Sequence, residues 1–430
     1  MPVTAKLLLA ALDLTAIGQR ARAAARKLAR LSTLVKNQAL LNIARAMEES
    51  QGEILLANRR DYQAGQHAGL TEAMLDRLML NRERLAAMAA DVRNVAALPD
   101  PVGEQFDVRT LPNGLILGKR RVPLGVIGTI YESRPNVTVD IASLCLKSGN
   151  AVILRGGSES VHSNTALSRL VRDAAAAAGV PEDAVQFIED TDRALVGQML
   201  SMREYIDLLI PRGGAELIRR VALEASMPVV TGGIGVCHTY VDRTADLKKA
   251  VDIAYNAKVQ RPTVCNALDT LLVHVQIAPQ YLPRIAQAWG QAGVEIHADS
   301  RAMSILGPME SPRILPATQE DWGKEFLSLT AAVKVVDSLD EALEHIERYG
   351  SGHTEAILTE DYSAAMRFLD EVDAAVVMVN ASSRFTDGAQ FGLGAEVAIS
   401  TNKMHARGPM GLRELTSYKW TVLGSGQIRS

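Results

Sequence analysis

Cysteine is scarce here: three residues in 430, with no spacing that suggests a pair. An odd, unpaired set excludes a disulfide framework and indicates a reducing compartment, the cytoplasm. Excess charge is also missing. With 46 Lys and Arg against 49 Asp and Glu, the formal net charge is -3. Neither nucleic-acid nor anionic-membrane binding is expected from that balance, and any anion recognition has to be local. No run approaches the ~20 apolar residues that a membrane-spanning helix needs. The apolar run Leu7–Leu12 is short, is followed by Asp13, and lacks a basic flank and a cleavage site, so it is not read as a signal peptide. There is no internal repeat, no low-complexity segment, no good match to the G-x-G-x-x-G fingerprint, and no motif that calls for a metal. What remains is the composition of a globular protein, 47% hydrophobic and 22% charged, long enough for two or three domains.

Residues 15–95 are rich in alanine and charge, with apolar residues at helical spacing, as in Gln38-Ala39-Leu40-Leu41-Asn42-Ile43-Ala44. They read as several helices. From Val122 the pattern alternates. Short apolar strands are expected at 124–130, 151–155, 185–189, 206–210, 228–231 and 236–241, the first four followed by helices at 137–148, 161–178, 192–202 and 213–225. Such alternation indicates βαβ units on a parallel sheet. A helix over Lys248–Lys258 precedes a second alternating set: strands near 269–274, 293–297, 331–336, 354–359 and 374–379, with helices near 279–291, 339–348 and 361–371. The fold class is α/β. Asn113-Gly114, flanked by β-formers, signals a hairpin. That hairpin and a late strand over Tyr418–Leu423 both need partners, which points to an oligomer interface.

Cys265 is the first candidate for chemistry. It lies in Val259-Gln260-Arg261-Pro262-Thr263-Val264-Cys265-Asn266, where Pro262 suggests that it opens a helix. Backbone N–H groups at a helix start would then face whatever bonds to the sulfur. The neighbouring Arg261 favours the thiolate. The competing reading is a buried structural cysteine, but the flanking Arg, Thr and Asn are poor core material. Cys145 and Cys237 sit in apolar runs and read as small core residues. Two glycine pairs, Gly156-Gly157 and Gly213-Gly214, follow strands and precede helices. Each is either a tight turn or a place where backbone approaches a phosphate.

Taken together these residues resemble the aldehyde dehydrogenase superfamily, and within it the branch that reduces a γ-glutamyl acyl phosphate. The likeness covers essentially the whole chain. It is carried by Leu124–Thr138 (LGVIGTIYESRPNVT), Gly149–Gly157 (GNAVILRGG), Gln260–Ala267 (QRPTVCNA) and Gly352–Thr359 (GHTEAILT). The resemblance implies two parallel-sheet α/β domains plus a small oligomerisation element. Residues 1–105 and 122–258 would form the N-terminal helices and NADP-binding domain, 259–394 the catalytic domain, and 106–121 with 395–430 the oligomerisation element.

Position by position, Cys265 matches the nucleophile. Arg155 and Ser158 fall where the family contacts the adenosine ribose; a serine in place of the glutamate of NAD-preferring members tolerates a 2′-phosphate, so NADPH is the expected cofactor. Glu325 matches the residue that holds the nicotinamide ribose, and Gly213 and Gly214 join the cofactor set. Asn136 is assigned to the oxyanion, and Arg134, Arg261 and Arg384 to the substrate's anionic groups. One departure is informative. Hydrolytic members carry a glutamate before a Gly-Gly pair to activate water; here the stretch is Val230-Thr231-Gly232-Gly233. Acyl exchange with phosphate needs no such base. The implied reaction is reduction of L-glutamyl 5-phosphate to L-glutamate 5-semialdehyde and phosphate, the second step of proline biosynthesis, in a homo-oligomer that makes transient contact with glutamate 5-kinase. The alternatives are an ordinary or CoA-dependent aldehyde dehydrogenase and a catalytically retired binding protein.

Overall fold

The computed structural model describes residues 13–232, 234–307 and 313–429. The run Leu7–Leu12, apart from its neighbour Asp13, and Gly233 of the Gly-Gly pair lie outside them. The chain divides into two compact units. One comprises the residues up to Thr231 with Leu393–Val397 and the segment from Met410 on; the other comprises Gly232–Gly392 and Ala398–Pro409.

The first unit opens with five helices: α1 (Leu14–Leu28), α2 (Thr33–Glu49), α3 (Gln51–His67), α4 (Glu72–Leu78) and α5 (Arg82–Ala97). Four begin on a side-chain cap. Asp13, Ser32, Thr71 and Asn81 each accept a backbone N–H of the first turn, as the short polar residues before each apolar stripe predict. A hairpin follows, β1 (Gln105–Thr110) and β2 (Ile116–Pro123), closed at Asn113-Gly114 with Gly114 at φ 85°, a value that glycine adopts without strain. The late strand β16 (Thr416–Leu423) pairs antiparallel with β2, giving a three-stranded sheet.

The unit's main sheet contains β3 (Val126–Tyr131), β4 (Ala151–Gly156), β5 (Val185–Phe187) and β6 (Leu208–Arg212). They run parallel in the order β5-β4-β3-β6. Helices α6 (Asn136–Lys147), α7 (Val161–Ala176), α8 (Ala194–Leu200) and α9 (Ala215–Glu224) follow these strands in turn. Leu14, Ile17, Val126, Ile153, Met199 and Leu209 share one buried cluster, so α1 seals this sheet. The strand expected at 228–231 is reduced to a single bridge between Val229 and Leu209; Pro228 has no N–H to extend a ladder.

The second unit holds a seven-stranded parallel sheet in the order β10-β9-β11-β8-β7-β12-β13. Its strands are β7 (Cys237–Val241), β8 (Leu268–His274), β9 (Glu295–Ala298), β10 (Ile314–Pro316), β11 (Thr330–Val336), β12 (Thr354–Leu358) and β13 (Val376–Val379). The connecting helices are α10 (Leu247–Val259), α11 (Ala278–Gln291), α12 (Ser300–Leu306), α13 (Leu339–Tyr349) and α14 (Tyr362–Glu371). Strand 236–241, grouped by sequence with the first set, pairs here with β8 and β12. The compact unit therefore starts at Gly232, ahead of the expected boundary at 259. Two short elements went unforeseen: α12, capped by Asp299, and the three-residue strand β10. A two-residue antiparallel pair, β14 (Ile399–Ser400) and β15 (Gly408–Pro409), completes the unit.

Candidate active site

Cys265 does not open a helix. Residues 262–267 form turns between α10 and β8, with the Ala267 N–H bonded to the Val264 carbonyl at 3.1 Å. The chain enters β8 at Leu268, and β8 is held between β7 and β11, so no length is left for a helix. The helix-start donors inferred from Pro262 are therefore absent, and the oxyanion site cannot be built from them.

The turn is instead pinned from beneath. The buried Cys237 thiol donates to the Cys265 carbonyl at 3.2 Å. Gly235 is packed so closely that an added Cβ would lie 2.5 Å from the Cys265 carbonyl carbon and 2.9 Å from its Cα. The Gly235 N–H in turn donates to Glu325 Oε1 at 3.0 Å. From the other side, Asn266 Nδ2 donates to the Thr386 carbonyl at 2.8 Å, and Ser383 Oγ donates to the Asn266 carbonyl at 2.7 Å. These bonds fasten the 382–386 loop, just after β13, to the cysteine turn. They leave the Cys265 side chain half-buried.

Two cations reach this turn. Arg384 Nε donates to Gln260 Oε1 at 2.8 Å. Burial holds the Arg384 guanidinium below its ordinary value; the charge of Arg261 adds to this, while Asp387 and Cys265 oppose it. Arg384 thus lies within electrostatic reach of both Arg261 and Cys265. His353 is uncharged at neutral pH, since burial pushes it down to about 4. Its Nδ1 lies 2.8 Å from Thr354 Oγ1.

Below the turn, Lys258 Nζ donates to the Leu268 carbonyl at 2.8 Å and stands 3.6 Å from Asp269. Burial raises the Asp269 carboxyl to about 6, with Lys258 opposing. Asp269 also accepts the Phe326 N–H at 3.1 Å, which ties the Glu325 segment to β8. Sequence reasoning missed Lys258, Asp269 and the bond from Cys237. The visible signal was a lone carboxylate inside the apolar strand Leu268-Asp269-Thr270-Leu271-Leu272-Val273.

The remaining assigned residues lie in the first unit, around the C-terminal edge of its sheet. Arg155, on β4, is buried; it donates to the Thr191 carbonyl at 3.1 Å, and its Nε makes no hydrogen bond. Ser158 is exposed at the start of a short 3-10 turn, Ser158–Ser160. Gly214 caps α9, and its N–H donates to Glu132 Oε2 at 3.0 Å; a Cβ at Gly213 would collide with the same carboxylate. Arg134 lies on the turn between β3 and α6, where Ser133 takes φ 47° and donates its N–H to Glu159 at 2.6 Å. Asn136 is the first residue of α6 and donates to Asp140 at 2.8 Å. Desolvation lifts the Asp140 carboxyl to about 7, with Asn136 opposing. Among the described residues no cluster of three His, Cys, Asp or Glu could hold a metal, and no helix is long and apolar enough to cross a membrane.

The chain thus carries two parallel sheets, a cysteine on the turn before a central strand, and glycines at strand ends. Residues 8–320 match the aldehyde dehydrogenase family. The chain belongs to that family. It is accordingly an oxidoreductase that acts on the aldehyde group. The chain is 62% identical over 420 residues to the γ-glutamyl phosphate reductase of Dehalococcoides mccartyi, covering 98% of this chain and 99% of the relative. To the γ-glutamyl phosphate reductase of Moorella thermoacetica it is 57% identical, covering 97% and 99%. The crystal structure of γ-glutamyl phosphate reductase from Thermotoga maritima superposes with a TM-score of 0.94 at 48% identity, covering 97% of this chain and all of that one.

Proposed function

We propose that this chain reduces L-glutamyl 5-phosphate to L-glutamate 5-semialdehyde and phosphate, with NADPH as reductant and Cys265 as nucleophile. The observation that carries the reading is the cysteine turn: a half-buried thiol with Arg384 in electrostatic reach, Arg261 four residues before it in the chain, and a backbone held on both flanks. An anionic acyl donor suits such a site, and its likeness to relatives of this name supports the choice of substrate. The Cys265 sulfur attacks the acyl carbonyl, the C–O bond to phosphate breaks, and a thioester remains. Arg261 and Arg384 offer planar forks to the departing phosphate. The stretch Val230-Thr231-Gly232 holds no carboxylate to activate water, so the thioester is spared hydrolysis. After reduction the aldehyde leaves and the Cys265 thiolate returns.

NADPH supplies the hydride when bound. The buried guanidinium of Arg155, with its unbonded Nε, fits an anionic cofactor; the Gly213-Gly214 turn at the start of α9 is assigned to the cofactor by resemblance, and here its Gly214 N–H is bonded to Glu132. Ser158, exposed beside Arg155, leaves room for a 2′-phosphate. Glu325 is assigned to the nicotinamide ribose, Asn136 to the oxyanion and Arg134 to the substrate's charged ends. The free cysteines fit a cytoplasmic enzyme. Strand β16, with Tyr418 and Trp420 about half exposed, suits pairing within a homo-oligomer. The acyl phosphate is labile, so a kinase acting on the γ-carboxylate has to supply it.

The test is anion dependence in the reverse direction. Oxidation of the semialdehyde by NADP should require phosphate or arsenate. Full-rate oxidation with neither anion would overturn the reading, and CoA in place of phosphate would point to the CoA-linked branch of the family.

A further inference from the structure

Cys237 takes no part in the chemistry above, although its sulfur is the nearest thiol to the nucleophile's backbone. It is fully buried at the first position of β7, and its Sγ lies 3.2 Å from the Cys265 carbonyl oxygen. Carbonyl geometry then places Cys237 Sγ no more than about 6 Å from the Cys265 Cα. A cysteine sulfur lies about 2.8 Å from its own Cα, so a Cys265 rotamer aimed at Cys237 leaves a gap that a small shift closes to the S–S bonding distance of about 2 Å. Cys265 sits on a turn and not in a strand. Exposure separates the two thiols as well: Cys265 is half-buried, Cys237 wholly so. Burial holds the Cys237 thiol well above its ordinary range, so oxidant meets Cys265 first.

We infer that Cys237 is the resolving thiol for oxidised Cys265, forming a reversible Cys237–Cys265 disulfide. Hydrogen peroxide is the oxidant. Its O–O bond breaks on attack by the Cys265 thiolate, giving the sulfenic acid and, with a proton, one water. The Cys237 sulfur then attacks the sulfenic sulfur, the S–O bond breaks, and the thiol proton leaves with hydroxide as a second water. Two electrons pass from the two thiols to the peroxide. Peptide between the two residues is not strained by long-range movement, because both already share one hydrogen bond. Further oxidation of Cys265 to the irreversible sulfinic acid is thereby cut off.

The test is peptide mapping of the full-length enzyme after hydrogen peroxide, under non-reducing conditions. Trypsin puts the thiols on separate peptides, one from Val221 to Arg243 and one from Val259 to Arg284. Those peptides should be recovered joined, lighter by two hydrogens, and separated by dithiothreitol. Cys237→Ser keeps a donor to the Cys265 carbonyl but cannot form the bond. After peroxide and then dithiothreitol it should regain about tenfold less of its own starting activity than the native enzyme does, with Cys265 found as sulfinic acid. A native enzyme that yields no joined peptide, joins Cys265 to Cys145 instead, or reaches the sulfinic acid as fast as Cys237→Ser, overturns the inference. The joined peptide is read by mass and independently of turnover, so it is decisive even where Cys237→Ser does not fold or the acyl phosphate reading fails.

Discussion

Gly235 lies directly against the backbone of Cys265, with room for no side chain: a Cβ would stand 2.5 Å from the Cys265 carbonyl carbon. Its N–H is held by Glu325, so one glycine joins the turn of the proposed nucleophile to the segment assigned to cofactor binding.

Gly235→Ala should therefore damage activity more than stability. Overpacking of this kind costs about 1–3 kcal/mol, and displacing a nucleophile by about an ångström lowers kcat by ~100-fold. Thermal unfolding and steady-state kinetics on the same preparation check this. A variant with native kcat would show that the turn can give way without moving the sulfur.

Cys265→Ser should lower turnover by about a thousandfold or more while circular dichroism stays native. The residue lies on a half-buried turn that is held by bonds to its backbone and to Asn266. Retained turnover would move the nucleophile elsewhere.

Arg261→Ala should raise the apparent KM for phosphate, or for the semialdehyde, about tenfold, the value of one charge-assisted bond. Affinity for NADPH should change little. The same substitution should also relieve the depression of Arg384, whose guanidinium feels Arg261. Unchanged KM values for both substrates would reduce Arg261 to packing beside the thiol.

Asp140→Asn should stabilise the fold in a pH-dependent way. Desolvation lifts the Asp140 carboxyl to about 7 in the folded chain, against an unfolded value near 3.9. Below about pH 4 both states are protonated and the group contributes nothing. Between about 4 and 7 the unfolded chain loses its proton first, so stability falls as pH rises; above 7 the loss is constant. The variant's advantage should grow across that window and then level off, as read from urea midpoints at a series of pH values. A difference independent of pH would mean that Asp140 is ionised throughout.

How much could be read beforehand follows from the range of the forces involved. The alternation of apolar strands with helices and the Asn113-Gly114 hairpin are written in residues a few positions apart, and they were legible. So was the family, since its motifs are contiguous runs around Tyr131, Arg155 and Cys265. The placement of Cys265 was not. Pro262 favours a helix start locally, but β8 needs Leu268 for its ladder to β7, and pairing across the sheet outweighs that local preference. The same holds for β7, which sequence order assigns to the first set of strands and sheet pairing assigns to the second. The contacts that shape the site join residues far apart in the chain: Gly235 to Glu325, Cys237 to Cys265, Asn266 to Thr386, Asp269 to Phe326. The sequence by itself determined most of the elements, the family and the nucleophile's candidate. Only the tertiary structure decided what holds that nucleophile in place, because burial and long-range hydrogen bonds exist only once the sheet has formed.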